Sequence, residues 1–343
     1  MDFILDKILK CSSGTCDGCL KRGTSFYTCD KCDMQYPIIS GIPTLIESPE
    51  DYLSEYYKIF ENELENEIKP ADNDFPNITD IHKKRIAMMK VEIEPFLTPT
   101  NTSYSTYRYS EMYSKEMNND EYILSGYAPF LENTTAYSEC LYSTVLNLGV
   151  STPSDGTMLE IGCGIGRTLL DYSYLLKDGN VIGVDLEYSK IRLAQEILKT
   201  DREIEVIRIR NFSYEISKIK GFNRPNIHLM VANADKLPFL NSIFDIIIIS
   251  YLLGLLEIPK EFLKLIPSLL KDNGMLIIAD DHGWYQRIRP RSRHTCPEML
   301  AKAFEYSGLK KDLEFDTPYY ESLTDRVYHI HLTRFTRYRK NKI

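Results

Sequence analysis

The sequence predicts an α/β fold in which a parallel β-sheet carries helices on both faces and follows a small cysteine-rich module. Two observations predict the sheet: short apolar runs alternate with helical patterns from Thr157 onward, and a glycine-rich loop follows the first run. The module is predicted because five of the eight cysteines lie in the first 32 residues. A length of 343 residues fits two units, or one domain with substantial additions.

The N-terminal module, residues 1–46, is predicted to be a zinc ribbon. Cys16 and Cys19 form one C-x-x-C knuckle, and Cys29 and Cys32 form a second. Four thiolates arranged in this way suit tetrahedral zinc, and they leave no coordination position for water, so the metal would be structural. Cys11 is either a bystander or a substitute ligand, and a redox or iron role for the cluster remains an alternative.

Two helical regions are predicted between the ribbon and the sheet. Residues 47–105 are interpreted as an acidic helical linker, solvated because acids dominate its first part, Glu47–Asp74. Residues 106–343 form the main domain, which begins with a tyrosine-rich helical cap. Most of these tyrosines are expected to pack, and a few could line a substrate pocket.

Five apolar runs are predicted to be buried strands. They are Met158–Ile161, Val181–Val184, Ile227–Val231, Phe244–Ile249 and Met275–Ala279. The stretch Ile204–Lys220 is either an additional strand or an insertion before the third strand. A helix is predicted to begin near Pro297, and the basic tail Arg334–Lys342 is interpreted as simple surface or a mobile end.

Charge and hydropathy exclude some classes of function. The net charge of −8 argues against a broad phosphate-binding surface, so nucleic acid is disfavoured as a partner. No apolar run approaches the roughly 20 residues of a membrane span. The N-terminus MDFILDKILK does not resemble a signal peptide, so we expect a cytoplasmic protein that does not contact a membrane.

Three ordered elements of the sequence bear on the cofactor. Gly162, Gly164 and Gly166 follow the first strand, in a G-x-G-x-G spacing that differs from the G-x-G-x-x-G of dinucleotide sites. Asp185 ends the second strand, where a carboxylate can accept both ribose hydroxyls. The third element is the segment that begins at Asn233, N-A-D-K-L-P-F, which precedes the fourth strand.

The runs LEIGCGIGR, GVD, NADKLPF and FDIIII, in this order, resemble the class I S-adenosylmethionine-dependent methyltransferases, especially those with an LPF signature (methyltransferase types 11 and 25). The resemblance spans roughly residues 157–309 and implies a Rossmann-like, seven-stranded sheet. It implies that the glycine loop holds the methionine portion of the cofactor, that Asp185 binds the ribose and that the Asn233 side-chain oxygen accepts from the adenine amine. The implied cofactor-binding residues are Glu160, Gly162, Cys163, Gly164, Gly166, Asp185, Leu186, Asn233, Ala234 and Ser250. The two knuckles followed by YPIISGIP resemble the zinc ribbon found ahead of some methyltransferase domains.

Methyl transfer mainly requires alignment of the acceptor with the methyl group, so a general base is optional. Ligands bind at the carboxyl ends of such strands, which makes Tyr251, Asp281 and His282 the catalytic candidates. His282 is the first choice, because imidazole titrates near neutrality. The alternative is that His282 only caps a turn. An anionic acceptor is suggested by an alternating arginine run, for which solvated surface charge is the alternative: Arg287, Arg289, Arg291 and Arg293.

Three functions remain open from the sequence. The first is a methyltransferase that acts on a small molecule or peptide of the natural-product type, and this class of acceptor includes anionic ones. The second is an rRNA or tRNA methyltransferase that uses the ribbon for docking, although the ribbon balances five basic residues against five acidic ones and would produce little positive field. The third is a non-catalytic scaffold that binds S-adenosylmethionine. The oligomeric state is not predicted.

Overall fold

The computed structural model describes residues 4–14, 16–65, 76–97, 127, 130, 139–210, 213–256, 259–282, 297–322 and 328–341. The strands are β1 (Leu20–Arg22), β2 (Phe26–Cys29), β3 (Gln35–Ile39), β4 (Ile42–Leu45), β5 (Thr157–Ile161), β6 (Asn180–Asp185), β7 (Glu203–Arg210), β8 (Ser213–Lys220), β9 (Ile227–Ala232), β10 (Phe244–Ser250), β11 (Leu270–Asp280), β12 (Leu309–Ser322) and β13 (Tyr328–Lys340). The α-helices are α1 (Leu5–Ile8), α2 (Pro49–Glu65), α3 (Pro76–Ile93), α4 (Glu139–Gly149), α5 (Arg167–Leu175), α6 (Tyr188–Lys199), α7 (Pro259–Leu269) and α8 (Pro297–Tyr306).

The main sheet is mixed, and within the described residues it has eleven strands in the order β1-β2-β3-β4-β9-β6-β5-β10-β11-β13-β12. The prediction of a seven-stranded sheet is therefore wrong for the whole sheet. The strands after residue 150 supply seven of the eleven, and the four ribbon strands extend the sheet beyond β9. Thr44 and Leu45 of β4 pair in parallel with Val231 and Ala232 of β9. The ribbon thereby covers an edge that would otherwise expose unpaired backbone groups.

All five predicted strands are present, as β5, β6, β9, β10 and β11. The stretch Ile204–Lys220, which the sequence left undecided, forms the antiparallel pair β7–β8 as a separate sheet. The predicted helix begins at Pro297. The interpretation of the basic tail as surface or a mobile end is wrong for its described part, because residues 334–340 belong to β13, which pairs with β11 and β12 and buries Phe335 and Tyr338.

Side chains alternate across the main sheet and form one hydrophobic cluster on each face. Ile246 and Ile248 belong to the cluster of the first face, together with Phe335, whereas Ile247 and Ile249 belong to the cluster of the second face. This alternation decides which polar residues meet at the carboxyl edge of the sheet.

Helix α2 lies in the region interpreted as a solvated acidic linker, but one side of it is buried. Tyr52, Leu53, Tyr56 and Phe60 are at most 1% exposed and pack into the first-face cluster. The acids occupy the other positions of the helix, so composition alone obscured an amphipathic pattern. Among the described helices, none is both long and apolar enough to cross a membrane.

Candidate cofactor and acceptor site

The glycine loop between β5 and α5 has a backbone that requires glycine. Gly162, Gly164 and Gly166 have φ angles of +73°, +52° and +81°, which is the left-handed region that L side chains rarely adopt. A Cβ at Gly164 would meet no atom within 4 Å, so this part of the loop borders open space. A Cβ at Gly166 would overlap Leu198, so this glycine also permits close packing of α5 against α6. The loop therefore leaves room for a ligand at its middle glycine.

Glu160, at the end of β5, is a buried carboxyl that is incompletely satisfied. It is 3% exposed, and its Oε2 atom has no hydrogen-bond partner among the described residues. Burial raises its pKa to about 8, helped by the charges of Asp185 and Asp171, while a hydrogen bond from Thr168 opposes the rise. A cationic donor at this position would complete its hydrogen bonding and favour its ionised form.

Asp185 lies opposite the glycine loop and holds it in place. Its Oδ2 accepts a hydrogen bond from the Gly164 N–H at 2.8 Å, and its Oδ1 accepts from the Glu187 N–H at 2.9 Å. Each carboxylate oxygen has a second lone pair, so the residue retains capacity for ribose hydroxyls. The Tyr52 hydroxyl donates to the Leu186 carbonyl at 2.7 Å and accepts from the Tyr188 N–H at 3.1 Å. Helix α2 thus fixes the loop that carries Asp185 and Leu186.

Asn233 and Ala234 begin the segment assigned to the adenine edge. The Asn233 side-chain oxygen accepts from the Asp235 N–H at 2.9 Å and caps the 3₁₀ turn Ala234–Lys236. The expectation that this oxygen serves the adenine amine stays a prediction: the oxygen already has one partner and retains one lone pair for the amine, while the amide nitrogen is a donor.

The ribbon contacts the same segment further along the chain. Leu9 pairs with Phe239, the Lys10 N–H donates to the Pro238 carbonyl at 3.0 Å, and the Leu240 N–H donates to the Ile8 carbonyl at 2.9 Å. Lys236 forms an ion pair with Glu47. These contacts tie the ribbon and the start of α2 to the segment that follows β9.

Ser250 and Cys163 complete the set of predicted cofactor-binding residues. The Ser250 hydroxyl is buried and has no partner within the described part of the chain. Cys163 is buried, and burial raises the pKa of its thiol well above the ordinary value, so it remains a thiol. A Cβ at Gly162 would lie 3.0 Å from Leu252 Cδ1. The end of β10 therefore adjoins the glycine loop.

The acceptor side contains a histidine that the sequence analysis missed. His331, on β13, places its Nδ1 3.0 Å from Asp281 Oδ2. Ring centroids of Tyr251 and Tyr319 lie 5.8 Å and 5.9 Å from that of His331, and the Tyr251 hydroxyl is hydrogen-bonded to Thr333. The structure thus brings together two of the three catalytic candidates, Tyr251 and Asp281, with His331. The sequence signal that could have identified His331 is the run Y-H-I-H-L-T, in which polar and apolar residues alternate as in a β-strand. This strand was not among those predicted.

His282, the first choice for a base, faces elsewhere. Burial lowers its pKa, and the charge of Arg334 lowers it further, while the charges of nearby acids oppose the change. Arg334 alternates with Thr333 and Phe335 along β13, so its side chain lies on the second face, away from His331. The backbone N–H of His282 donates to Asp280 Oδ1 at 2.6 Å, with φ at +54°. In this turn the capping side chain is that of Asp280, and both interpretations of His282, as a base or as a turn residue, stay predictions. The arginines at 287, 289, 291 and 293 lie outside the described residues.

The ribbon brings four thiols together, but the set differs from the predicted one. The sulfur atoms of Cys11, Cys16, Cys29 and Cys32 lie within 4.8 Å of one another, whereas Cys19 is outside this group and exposed. Cys19 pairs directly with Lys10 across an antiparallel bridge. The side chains of Lys10 and Cys19 therefore lie on the same face. The side chain of Cys11, the next residue after Lys10, projects from the opposite face, toward the other three thiols. Cys11 thus takes the place predicted for Cys19 in the group of four thiols.

The four thiols fit a tetrahedral metal. The sulfur of Cys11 lies 3.7 Å from that of Cys32, and the sulfur of Cys16 lies 3.6 Å from that of Cys29; zinc–sulfur bonds of about 2.3 Å at tetrahedral angles require about 3.8 Å. A Cβ at Gly18 would overlap the Cys29 sulfur. Burial opposes ionisation of Cys29, but backbone N–H groups outweigh it and lower its pKa to about 7. This donor set suits zinc.

Comparison with known proteins identifies the family. A family model described as "Methyltransferase domain" matches residues 153–330, just over half of the chain. No curated protein sequence matches the chain. Among solved structures, a SAM-dependent methyltransferase from Aquifex aeolicus is similar at 15% identity with a TM-score of 0.42, over 68% of this chain and 98% of that one.

Two further solved structures show a similar level of likeness. The YcgJ protein from Bacillus subtilis has 14% identity and a TM-score of 0.41, over 60% of this chain and 99% of that one. A chain of a Haloferax volcanii complex that contains the Trm112 methyltransferase activator has 13% identity and a TM-score of 0.44, over 66% of this chain and 95% of that one. The family assignment rests on the family model, and the chain belongs to the methyltransferase-domain family.

Proposed function

We propose that the chain is an S-adenosylmethionine-dependent methyltransferase that acts on a small-molecule or peptide acceptor. The observation that carries the cofactor half of this proposal is Glu160, a buried carboxyl near the open middle of the glycine loop, with one oxygen that no other described residue contacts by a hydrogen bond. The ammonium group of the methionine portion would supply the missing cationic donor. Asp185 would bind the ribose, and Asn233 with Ala234 would meet the adenine edge.

The acceptor half of the proposal rests on the carboxyl end of β10 and β11. Tyr251, Asp281 and His331 lie together there, on the side where the glycine loop adjoins Leu252. A site built from aromatic and imidazole rings and one carboxylate suits a compact acceptor better than it suits a polyanionic nucleic acid. The cofactor supplies the methyl group, and these residues would orient the acceptor and exclude water from it.

The ribbon, proposed as residues 1–46, would hold a structural zinc through Cys11, Cys16, Cys29 and Cys32. Its strand β4 and its Leu9–Phe239 pairing are already engaged with the rest of the chain. We therefore propose that it supports the adenine segment rather than docking RNA. The 47–105 region would support, through Tyr52, the segment that carries Asp185 and Leu186.

Two experiments test the proposal. Calorimetric titration of the purified chain with S-adenosylmethionine should give saturable binding. Transfer of label from methyl-tritiated cofactor should enter a small-molecule and peptide extract. Label that enters only total RNA would overturn the acceptor class in favour of the RNA alternative. Cofactor binding without transfer to any fraction would favour the scaffold.

A further inference from the structure

We infer that Asp281 and His331 form a carboxylate–imidazole pair that acts as a general base. The pair removes a proton from the methyl acceptor, so the acceptor is a hydroxyl or ammonium group. The inference rests on the proposed methyl transfer and adds the class of the acceptor and the group that takes its proton. It starts from the contact between His331 Nδ1 and Asp281 Oδ2, which measures 3.0 Å.

This contact sets the proton positions on the imidazole. A carboxylate that accepts from Nδ1 holds the neutral ring in the tautomer that carries its proton on Nδ1 and its acceptor lone pair on Nε2. The side chains of His331 and Asp281 are 29% and 28% exposed. The pair is therefore accessible to a ligand, unlike His282, which is 18% exposed and faces Arg334.

The long hairpin places the pair beyond the carboxyl edge of the parallel strands. Strand β13 pairs with β11 only from Arg334 to Arg339, while its pairing with β12 continues to Tyr328. The segment Tyr328–Thr333 thus runs past the end of β11 and carries His331 with it. Asp281 follows β11 directly, so the two side chains meet at the edge where ligands bind in such sheets.

Two neighbouring residues connect this position to the glycine loop. Tyr251 follows β10, and its ring centroid lies 5.8 Å from that of His331. The next residue, Leu252, has its Cδ1 3.0 Å from the position of a Cβ on Gly162. The segment that ends β10 thus contacts the pair through Tyr251 and the glycine loop through Leu252.

The reaction step balances without any further reagent. A bond forms between the acceptor oxygen or nitrogen and the methyl carbon, while the bond from that carbon to the sulfonium sulfur breaks and its electron pair stays on sulfur. The acceptor proton moves to His331 Nε2, as the bond forms for a hydroxyl and before it forms for an ammonium group, whose nitrogen has no lone pair until then. Asp281 accepts the hydrogen bond from the resulting imidazolium without taking a proton. Among the described residues, the titratable rings in contact with that of His331 include those of Tyr251 after β10, Tyr319 on β12 and His329 on its own strand.

The tautomer of His331 is the first test, and it needs no acceptor. Nitrogen-15 NMR of the imidazoles, with His331→Gln used to assign the signals, should show neutral His331 protonated on Nδ1. In Asp281→Asn the Nε2-protonated form should gain population. A wild-type His331 protonated on Nε2 would overturn the inference, because that atom then has no lone pair to receive a proton.

The second test measures transfer from methyl-tritiated S-adenosylmethionine into a small-molecule extract. His331→Gln should lose roughly 10²- to 10⁴-fold in rate, while cofactor affinity measured by calorimetry stays unchanged. The matched control is His329→Gln, an exposed histidine two residues away, which should keep its rate. Added imidazole should restore transfer to His331→Ala in a saturable manner, which a purely structural role would not allow.

The two proposals fail in different ways. A wild-type chain that binds no cofactor refutes the proposed function. A wild-type chain that binds cofactor and transfers label, with His331→Gln equally active, refutes only the general-base role of Asp281 and His331.

Discussion

Replacing Glu160 with glutamine should make the cofactor-free protein more stable at neutral pH while it weakens cofactor binding. Glu160 is a buried carboxyl whose pKa is raised from 4.5 to about 8. Between these two values the folded chain keeps a proton that the unfolded chain releases. The free energy of unfolding therefore falls as pH rises through this window. Glutamine has a similar shape and cannot ionise, so it removes this loss.

The magnitude follows from the width of that window. Each pKa unit corresponds to about 1.4 kcal/mol. At pH 7 the proton released on unfolding lowers the stability of the wild-type chain by about 3 kcal/mol, and at pH 5 by about 1 kcal/mol. Glu160→Gln should accordingly gain up to about 3 kcal/mol at pH 7, and the gain should shrink by about 2 kcal/mol at pH 5.

The assay is urea unfolding at 25 °C, followed by circular dichroism at both pH values, with zinc present and S-adenosylmethionine absent. The control is Glu305→Gln, which changes an exposed acid on α8 and should shift stability equally at the two pH values. A Glu160→Gln protein that is less stable than wild type, or that gains equally at pH 5 and pH 7, would refute the reasoning.

Cofactor binding should respond in the opposite direction in the same variant. A hydrogen bond between charged groups contributes about 1.5–3 kcal/mol, so affinity should fall roughly tenfold to a hundredfold. In the wild type, a bound ammonium would favour the ionised carboxylate, so binding at pH 7 should release a proton and affinity should rise up to about pH 8. Calorimetry in buffers of different ionisation enthalpy measures that proton.

Three further predictions concern the rest of the site. Asp185→Ala should lower cofactor affinity by more than about 100-fold, because two charge-assisted hydrogen bonds are lost; unchanged affinity in calorimetry would exclude the ribose role. Cys29→Ser should lose zinc, measured by elemental analysis, whereas Cys19→Ser should keep one equivalent; a Cys19→Ser protein without metal would contradict the four-thiol set. Tyr52→Phe should lower stability by about 1 kcal/mol in urea unfolding and weaken cofactor binding, since its hydroxyl links Leu186 to Tyr188. Normal affinity in that variant would show that α2 does not support the loop.

The central strands and the glycine loop were predictable because their signals are local. Buried parallel strands read as continuous apolar runs, and left-handed φ angles at Gly162, Gly164 and Gly166 favour glycine. Pairing between distant segments was not predictable. The ribbon joins the sheet through β4 and β9, and nothing in either segment alone specifies that pairing.

The metal ligands and the acceptor site show the same limit. The C-x-x-C spacing indicated Cys16 and Cys19 as a pair, but the bridge between Lys10 and Cys19 turns Cys19 outward and Cys11 inward. His331 was not predictable as a site residue, because β12 and β13 are long, polar and charged and lack the continuous apolar runs of the central strands. Its partner Asp281 lies fifty residues away in sequence, so only the fold could bring the two together.

The proposed function depends first on the binding of S-adenosylmethionine by the glycine loop, Glu160 and Asp185. Calorimetric titration of the zinc-loaded wild-type chain with S-adenosylmethionine at pH 7.5 tests it most directly, with Asp185→Ala as the comparison. We expect one cofactor per chain for the wild type and at least a 100-fold loss for the variant. A folded, zinc-loaded wild-type chain that takes up no cofactor would contradict the account.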